Sequence, residues 1–206
     1  MKPDLSPEAL AEFWRWFEDN DEELFHLDQN SIDLIGRLSE ALRRVDQHLT
    51  FEMSHVFDDG SREFIISANG IKSSFRSVDA LYAASSCSSL RRWKVIRFRQ
   101  RHQPVNDMKC VFGGLSVDAS QVYYALFREK KPGKLGVMLF LRGYSVKDRE
   151  TWDQIGFIIL HAVLGEYDVE THLGEIMILS YESEYFRKAR PLAELPSHFD
   201  NMLGRP

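Results

Sequence analysis

The stretch "TFEMSHVFDDGSREFIISANG", residues 50–70, decides the fold because the hydrophobic period of the chain changes there. Two runs with strand-like composition flank Asp59 and Gly60, a dipeptide that is typical of a tight hairpin turn. Asp58 and Asp59 could also be read as metal ligands. Asp and Gly tolerate the backbone angles of a tight turn, so the sequence favours a β-hairpin over a metal site.

Upstream of this hairpin, residues 1–49 form a predicted N-terminal helical segment. Ser6 and Pro7 are typical of a helix start, and Asn20 is a plausible end for that first helix. A second helix is predicted from about Ser31, because apolar residues recur there at helical spacing. The pattern is too short for a coiled coil, which predicts packing on a sheet or another helix. Its apolar residues are Ile35, Leu38, Leu42, Val45 and Leu49.

Downstream of the hairpin, similar signals recur along the rest of the chain. A short helix from Ser77 leads into a predicted strand, "RRWKVIRFRQRH", residues 91–102. Gly165 is a natural end for the helix "WDQIGFIILHAVL", residues 152–164. The other predicted elements are strands over 121–130 and 135–144 joined by "KPGK", an edge strand with a Gly-Gly bend within 103–120, the strand "EIMILSY" over 175–181, and a final helix around 193–203.

Two segments, 50–101 and 121–182, share the order strand, turn, strand, helix, strand. This order predicts an internal structural repeat and one large, mostly antiparallel sheet, with the two N-terminal helices packed across it. The predicted class is α+β, and the length of 206 residues favours a single domain over 1–206 with one core.

Composition limits the protein classes to consider. Hydrophobic residues make up 44% and charged residues 28% of the chain, as in ordinary globular proteins. Cys87 and Cys110 provide neither a disulfide framework nor a zinc ligand set. A single disulfide between the two residues is the remaining alternative. The N-terminus lacks a signal-peptide pattern, and no apolar run approaches the roughly 18 residues of a membrane span. The sequence predicts a cytoplasmic protein without membrane contact, and it indicates no cofactor.

Charge is unevenly distributed along the chain. Residues 1–60 carry 5 Lys/Arg against 15 Asp/Glu, residues 61–149 carry 17 against 6, and residues 150–206 carry 4 against 10. A basic centre between acidic flanks can mark a nucleic-acid surface. It can equally mark segments that neutralise one another in the folded protein.

The predicted strand "WKVIRFRQRH", residues 93–102, holds the main candidate site. In a regular strand Arg97, Arg99 and Arg101 share one face with Trp93, while Phe98 points to the core on the other. Three neighbouring guanidiniums repel one another, so a negative group should lie nearby. Phosphate, carboxylates of a partner protein and the acidic flanks of this chain are the alternatives. The predicted anion- or partner-binding residues are Arg97, Arg99, Arg101, His102 and Trp93.

A second candidate site lies in "HAVLGEYDVETHLGE", residues 161–175. An extended backbone would place alternate polar residues after Gly165 on one side, where they could bind a divalent cation. The segment has neither an HxxxH nor an HExxH spacing, so a helix end followed by a charged turn is the favoured interpretation and no metal is predicted. The residues considered as metal ligands are His161, Glu166, Asp168 and His172.

Catalytic motifs give little support to an enzyme. No GxSxG elbow is present, and Cys87 is more simply a small residue at a Ser-rich helix end than a nucleophile. The leading hypothesis is a non-catalytic cytoplasmic protein that binds other proteins or itself through the arginines or the acidic segment 18–23.

Two alternatives remain to that hypothesis. The first is an enzyme or receptor for a small phosphorylated or carboxylated ligand, held by the arginines with His102 as a proton carrier. The second is RNA binding, which the acidic pI of about 5.8 and the lack of an RNA-recognition motif disfavour.

Overall fold

A computed structural model describes residues 5–28, 31–85, 90–130 and 133–205 of the chain. The fold is α+β, as the sequence predicts. The chain divides into two compact units, 1–99 and 100–206. Each unit has its own cluster of buried hydrophobic side chains.

Unit 1 contains a three-stranded sheet in the order β1-β2-β3. The first two strands pair antiparallel and the last two pair parallel. The elements of unit 1 are α1 (Pro7–Asp19), α2 (Asp21–Phe25), α3 (Ile32–Val45), β1 (Thr50–Met53), β2 (Arg62–Ser67), α4 (Phe75–Ala84) and β3 (Trp93–Arg97).

Local sequence signals account for the ends of several of these elements. The Ser6 hydroxyl accepts a hydrogen bond from the Ala9 N–H, and Asn20 caps the end of α1, so both predicted ends are confirmed. The predicted turn at Asp59 is also confirmed: the Asp59 carboxylate accepts the Ser61 N–H, and Gly60 has φ 74°. These ends depend on side chains within a few residues of the backbone they bind.

The core of unit 1 is aromatic and lies between the sheet and α1. The Phe17 ring is 4.8 Å from Phe64 and 5.0 Å from Trp93, centroid to centroid. The predicted apolar face of α3 is confirmed at Leu38, whereas Ile35 is only half-buried. Burial of these side chains supplies the main stabilisation of the unit.

Unit 2 contains a four-stranded sheet in the order β8-β7-β6-β9 and a separate two-stranded sheet, β4-β5. Gly156 of α5 lies directly against Ile178 of the larger sheet, and Gly165 with φ 81° ends α5 as predicted. The elements of unit 2 are β4 (Lys109–Phe112), β5 (Leu115–Asp118), β6 (Tyr123–Arg128), β7 (Leu135–Phe140), α5 (Arg149–Leu164), α6 (Glu166–His172), β8 (Leu173–Leu179), β9 (Arg190–Pro191) and α7 (Leu195–Leu203).

The two units have the same order and sense of strand pairing in one part of each. In each unit a hairpin is followed by a helix and then by a strand that pairs parallel with the second strand of the hairpin. Antiparallel pairing predominates over the whole chain, but the prediction of one large sheet is wrong: the described strands form three sheets. The predicted Gly-Gly bend within 103–120 is confirmed at Gly113 and Gly114, but it joins two strands, β4 and β5, that pair as a hairpin where the sequence predicts one edge strand. None of the helices in the described segments is long and apolar enough to cross a membrane.

Candidate functional site

The predicted arginine strand ends earlier than the sequence indicates. Strand β3 stops at Arg97, and Phe98 has φ 61°, a left-handed conformation that breaks the alternation of faces. Phe98 is buried as predicted, and its N–H donates to the Ile66 carbonyl at 2.7 Å. Trp93 is also buried, so its predicted position on the outward face is wrong. Arg99 and Arg101 therefore do not continue a row from Arg97.

The two arginines of unit 1 pair with different carboxylates. Arg97 Nη1 donates to Asp79 Oδ1 at 3.0 Å, and its guanidinium lies 5.7 Å from the Tyr82 ring centre. Arg99 Nε donates to the Glu52 carboxylate. The Arg97 side chain is more than half exposed, so its ion pair is accessible to water and ions.

Arg101 of unit 2 binds two carboxylates and one backbone carbonyl. Its Nη1 and Nη2 donate to the two Asp200 carboxylate oxygens at 2.6 and 2.8 Å. Nη2 also donates to Asp168 at 2.7 Å, and Nε donates to the Leu164 carbonyl at 3.1 Å. These bonds, from Asp200 first, raise the pKa of Arg101 and keep the guanidinium charged.

Asp168 lies between two arginines. Arg205 donates to both Asp168 oxygens, at 2.8 and 2.9 Å, in addition to the bond from Arg101. Burial by itself would raise the pKa of Asp168, but the two guanidiniums outweigh burial and lower it. The pKa of Asp200 is lowered chiefly by its bonds to Arg101. We call these four side chains, Arg101, Asp168, Asp200 and Arg205, the ionic cluster.

The remaining residues of the predicted arginine site, Trp93 and His102, belong to different units. Trp93 Nε1 donates to the Asp21 carboxylate within unit 1. His102 is exposed in unit 2, and its backbone N–H donates to the Ala162 carbonyl at 2.6 Å. The structure thus distributes the predicted site over both units, with Trp93 and two arginines in unit 1 and Arg101 with His102 in unit 2.

The second candidate segment is helical rather than extended. Residues 166–172 form α6, so the assumption that alternate residues share one side is wrong. His161 lies in the last turn of α5 and its Nε2 is 3.2 Å from Glu170, while His172 Nε2 is 3.9 Å from Asp168. Glu166 is fully buried. Within the described parts of the chain, no three His, Cys, Asp or Glu side chains are grouped so that they could hold a metal ion.

The acidic segment 18–23 is also engaged within unit 1. Arg92 Nη2 donates to Asp21 at 2.7 Å and to Glu22 at 2.8 Å. Cys87 lies outside the described residues. Cys110 is a free, buried thiol whose pKa is raised by burial, which disfavours the reactive thiolate.

Sequence reasoning missed several exposed apolar side chains on β4 and α5 in unit 2. Exposure is 69% for Val111 and 40% for Phe112 on β4, and 41% for Phe157 and 42% for Ile158 on α5. Strand β4 packs against α5. Val111 and Phe112 are adjacent on the strand and therefore point to opposite faces of it, whereas Phe157 and Ile158 lie side by side on α5. We call Phe157 and Ile158 the apolar strip.

The sequence of α5 explains why the strip was not predicted. Apolar residues occupy nearly every position of "FIILHAVL", residues 157–164, so periodicity does not tell which of them face outward. Their exposure becomes visible only once the packing of α5 against the sheet is known.

Comparison of the sequence with protein-family models finds no match, and comparison with curated proteins finds none either.

Proposed function

We propose that this protein acts without catalysis, by associating with a protein through the apolar strip. The observation that carries the proposal is the exposure of Phe157 and Ile158, two adjacent residues at the middle of the outward face of α5. Exposed apolar groups of this kind are typical of protein contact surfaces, because removing them from water is favourable. Isolated exposed apolar residues need no such explanation, which is why the grouping matters.

The arginines support an anion receptor or an RNA-binding protein less well. A phosphate at Arg101 would have to displace two carboxylates, Asp168 and Asp200, from a guanidinium that is largely buried by its partners. At Arg99 it would have to displace Glu52. Because these arginines already have charged acceptors, association through apolar contact is the better-supported function.

Two finer features belong to the same proposal. The cytoplasm is the proposed compartment, on the basis of the low cysteine content. The two strand–strand–helix–strand arrangements are proposed to be an internal repeat, which the matching sense of strand pairing supports.

Site-specific photocrosslinking in a cell lysate tests the proposed surface. A photoreactive phenylalanine analogue is placed at Ile158, and in a control protein at Ile32, which is 77% exposed on α3 in unit 1. We expect discrete crosslinked products from position 158 that disappear when Phe157→Ser is added, and none from position 32. Equal products from both positions, or none from position 158, would contradict the proposal.

A further inference from the structure

We infer that α7 is a pH-sensitive element, which is docked on unit 2 at neutral pH and is released when His172 and His198 take up protons in mild acid. This role is separate from the apolar strip and goes beyond the proposed function. Two half-buried imidazoles at α7, and the charged groups that face them, support it.

Helix α7 is held on unit 2 by apolar contacts and by a buried hydrogen bond. Leu195 and Phe199 of α7 are fully buried in the core of the unit. The Tyr124 side chain of β6 is also fully buried, and its hydroxyl lies 2.9 Å from His198 Nδ1 on α7. A neutral imidazole accepts the phenol proton at Nδ1 when its own proton is on Nε2. This bond therefore joins the buried side of β6 to α7.

Protonation of His198 would remove the acceptor of that bond. Both ring nitrogens of a charged imidazole are donors, so Nδ1 can no longer accept the phenol proton. Burial raises the pKa of Tyr124 to about 12, so the phenol keeps its proton and needs another acceptor. A buried donor without an acceptor is costly, and the docking of α7 becomes weaker.

The charges that face His198 do not compensate for this loss. They are Arg190 on β9 and Glu194, directly before α7. Arg190 Nε donates to Glu194 Oε2 at 2.8 Å, so the carboxylate is already bound to a cation. Burial first, and then Arg190, lower the pKa of His198 against the opposing effect of Glu194. Proton uptake by His198 therefore opposes the docked state.

His172, the last residue of α6, contacts the same helix. Its ring centre is 6.4 Å from that of Phe199. The charged side chains that face it are Arg205 after α7, Lys134 before β7 and Asp168 on α6. Burial first, and then Arg205, lower the pKa of His172, although Asp168 opposes them. A proton on His172 would thus place a second cation beside Arg205.

The two histidines act in the same direction and in the same pH range. Because both pKa values are lowered in the folded state, the docked state has its full stability above the unfolded pKa of about 6.5. It loses that stability as pH falls through the folded-state values. The pKa values of Asp168 and Asp200 are lowered from a reference of about 4, so the ionic cluster titrates in stronger acid.

Hydrogen exchange of the full chain at pH 7.5 and pH 5.5 measures the release of α7. After correction for the intrinsic pH dependence of amide exchange, we expect the protection of peptide 195–203 to fall by about tenfold or more. Peptide 7–19 in unit 1 should change by less than about twofold. An unchanged peptide 195–203 would overturn the inference. An equal loss in both peptides would also overturn it, because that result indicates unfolding of the whole chain.

Two substitutions assign the change to the histidines. His198→Asn offers a neutral acceptor to Tyr124, and His172→Gln keeps a polar side chain that does not titrate. We expect the double variant to lose the pH dependence of peptide 195–203. His55→Asn, at an exposed position in unit 1, is the matched control and should retain it. A double variant that is folded at pH 7.5 by circular dichroism, yet keeps the full change, would overturn the inference.

NMR titration of the imidazole Cε1–H signals tests the natural protein directly, even if the double variant does not fold. We expect both His172 and His198 to titrate below pH 6.5, and the amide signals of α7 to change over the same range. Values at or above about 6.5 for both histidines would overturn the inference.

Discussion

Arg62 in unit 1 and Arg101 in unit 2 perform similar structural tasks with different acceptors. Arg62 is 7% exposed and donates to carbonyl oxygens of Leu24, Phe25, Leu27 and Ser54, at 2.6–3.0 Å. Arg62 thereby ties the end of α2 to the first hairpin. Arg101 instead binds two carboxylates and one carbonyl.

The difference in acceptors determines how each site responds to pH. Burial lowers the pKa of Arg62, because its carbonyl partners carry no charge to offset desolvation. The carboxylates raise the pKa of Arg101. Carbonyl oxygens do not titrate, whereas Asp168 and Asp200 do. A buried arginine can thus connect distant segments through bonds to carbonyl oxygens or through bonds to carboxylates. Of these two kinds of bond, only the bonds to carboxylates make the stability of the fold depend on pH.

Replacing Arg62 should have the largest effect on stability. Arg62→Met removes the donors of four carbonyl bonds in a buried site, and we expect the free energy of unfolding of unit 1 to fall by about 3 kcal/mol. Denaturant unfolding combined with hydrogen exchange of peptides from 5–28 and 50–67 measures the loss. Arg43→Met, at an exposed position on α3, is the control and should change stability little. A loss below about 1 kcal/mol for Arg62→Met would contradict the assigned role.

Replacing Asp168 should have a smaller effect that depends on pH. Asp168→Asn leaves Arg101 and Arg205 without one carboxylate, and we expect a loss of about 2 kcal/mol at pH 7. Because the pKa of Asp168 is lowered in the folded state, its stabilisation is present above the unfolded pKa of about 4 and is lost as pH falls through the folded-state value. The natural protein and the variant should therefore converge in acid.

Unfolding of both proteins between pH 7 and pH 3 measures this convergence. Asp33→Asn is the matched control, because the Asp33 side chain is 92% exposed. A stability difference for Asp168→Asn that is independent of pH would show that shape rather than charge holds the ionic cluster together.

Replacing Arg97 should have the smallest effect. Its ion pair with Asp79 is exposed, so Arg97→Ala should cost about 0.5 kcal/mol or less, and added salt should remove that difference. A double-mutant cycle with Asp79→Ala isolates the pair. A coupling energy above about 1 kcal/mol that persists at high salt would contradict this prediction. It would show that the Arg97–Asp79 pair is as strong as the ion pairs of Arg101 and is not an ordinary exposed pair.

Local elements were predictable because their signals lie within a few residues of one another. The Ser6 cap, the turn at Gly60 and the end of α5 at Gly165 each depend on local backbone and side-chain preferences. The candidate site was less predictable. The alternation argument for the arginines assumed a regular strand through residue 102, and the positive φ of Phe98 ends that regularity.

The sequence by itself determined the α+β class, most helices and strands, and the uneven charge of the chain. Only the tertiary structure decided which charges meet: Arg101 binds carboxylates 67 and 99 residues farther along the chain. It also decided which apolar residues of α5 stay exposed. The physical reason is range. Capping, turn geometry and hydrophobic period act between near neighbours, whereas ion pairing and burial depend on which distant segments the folded chain brings together.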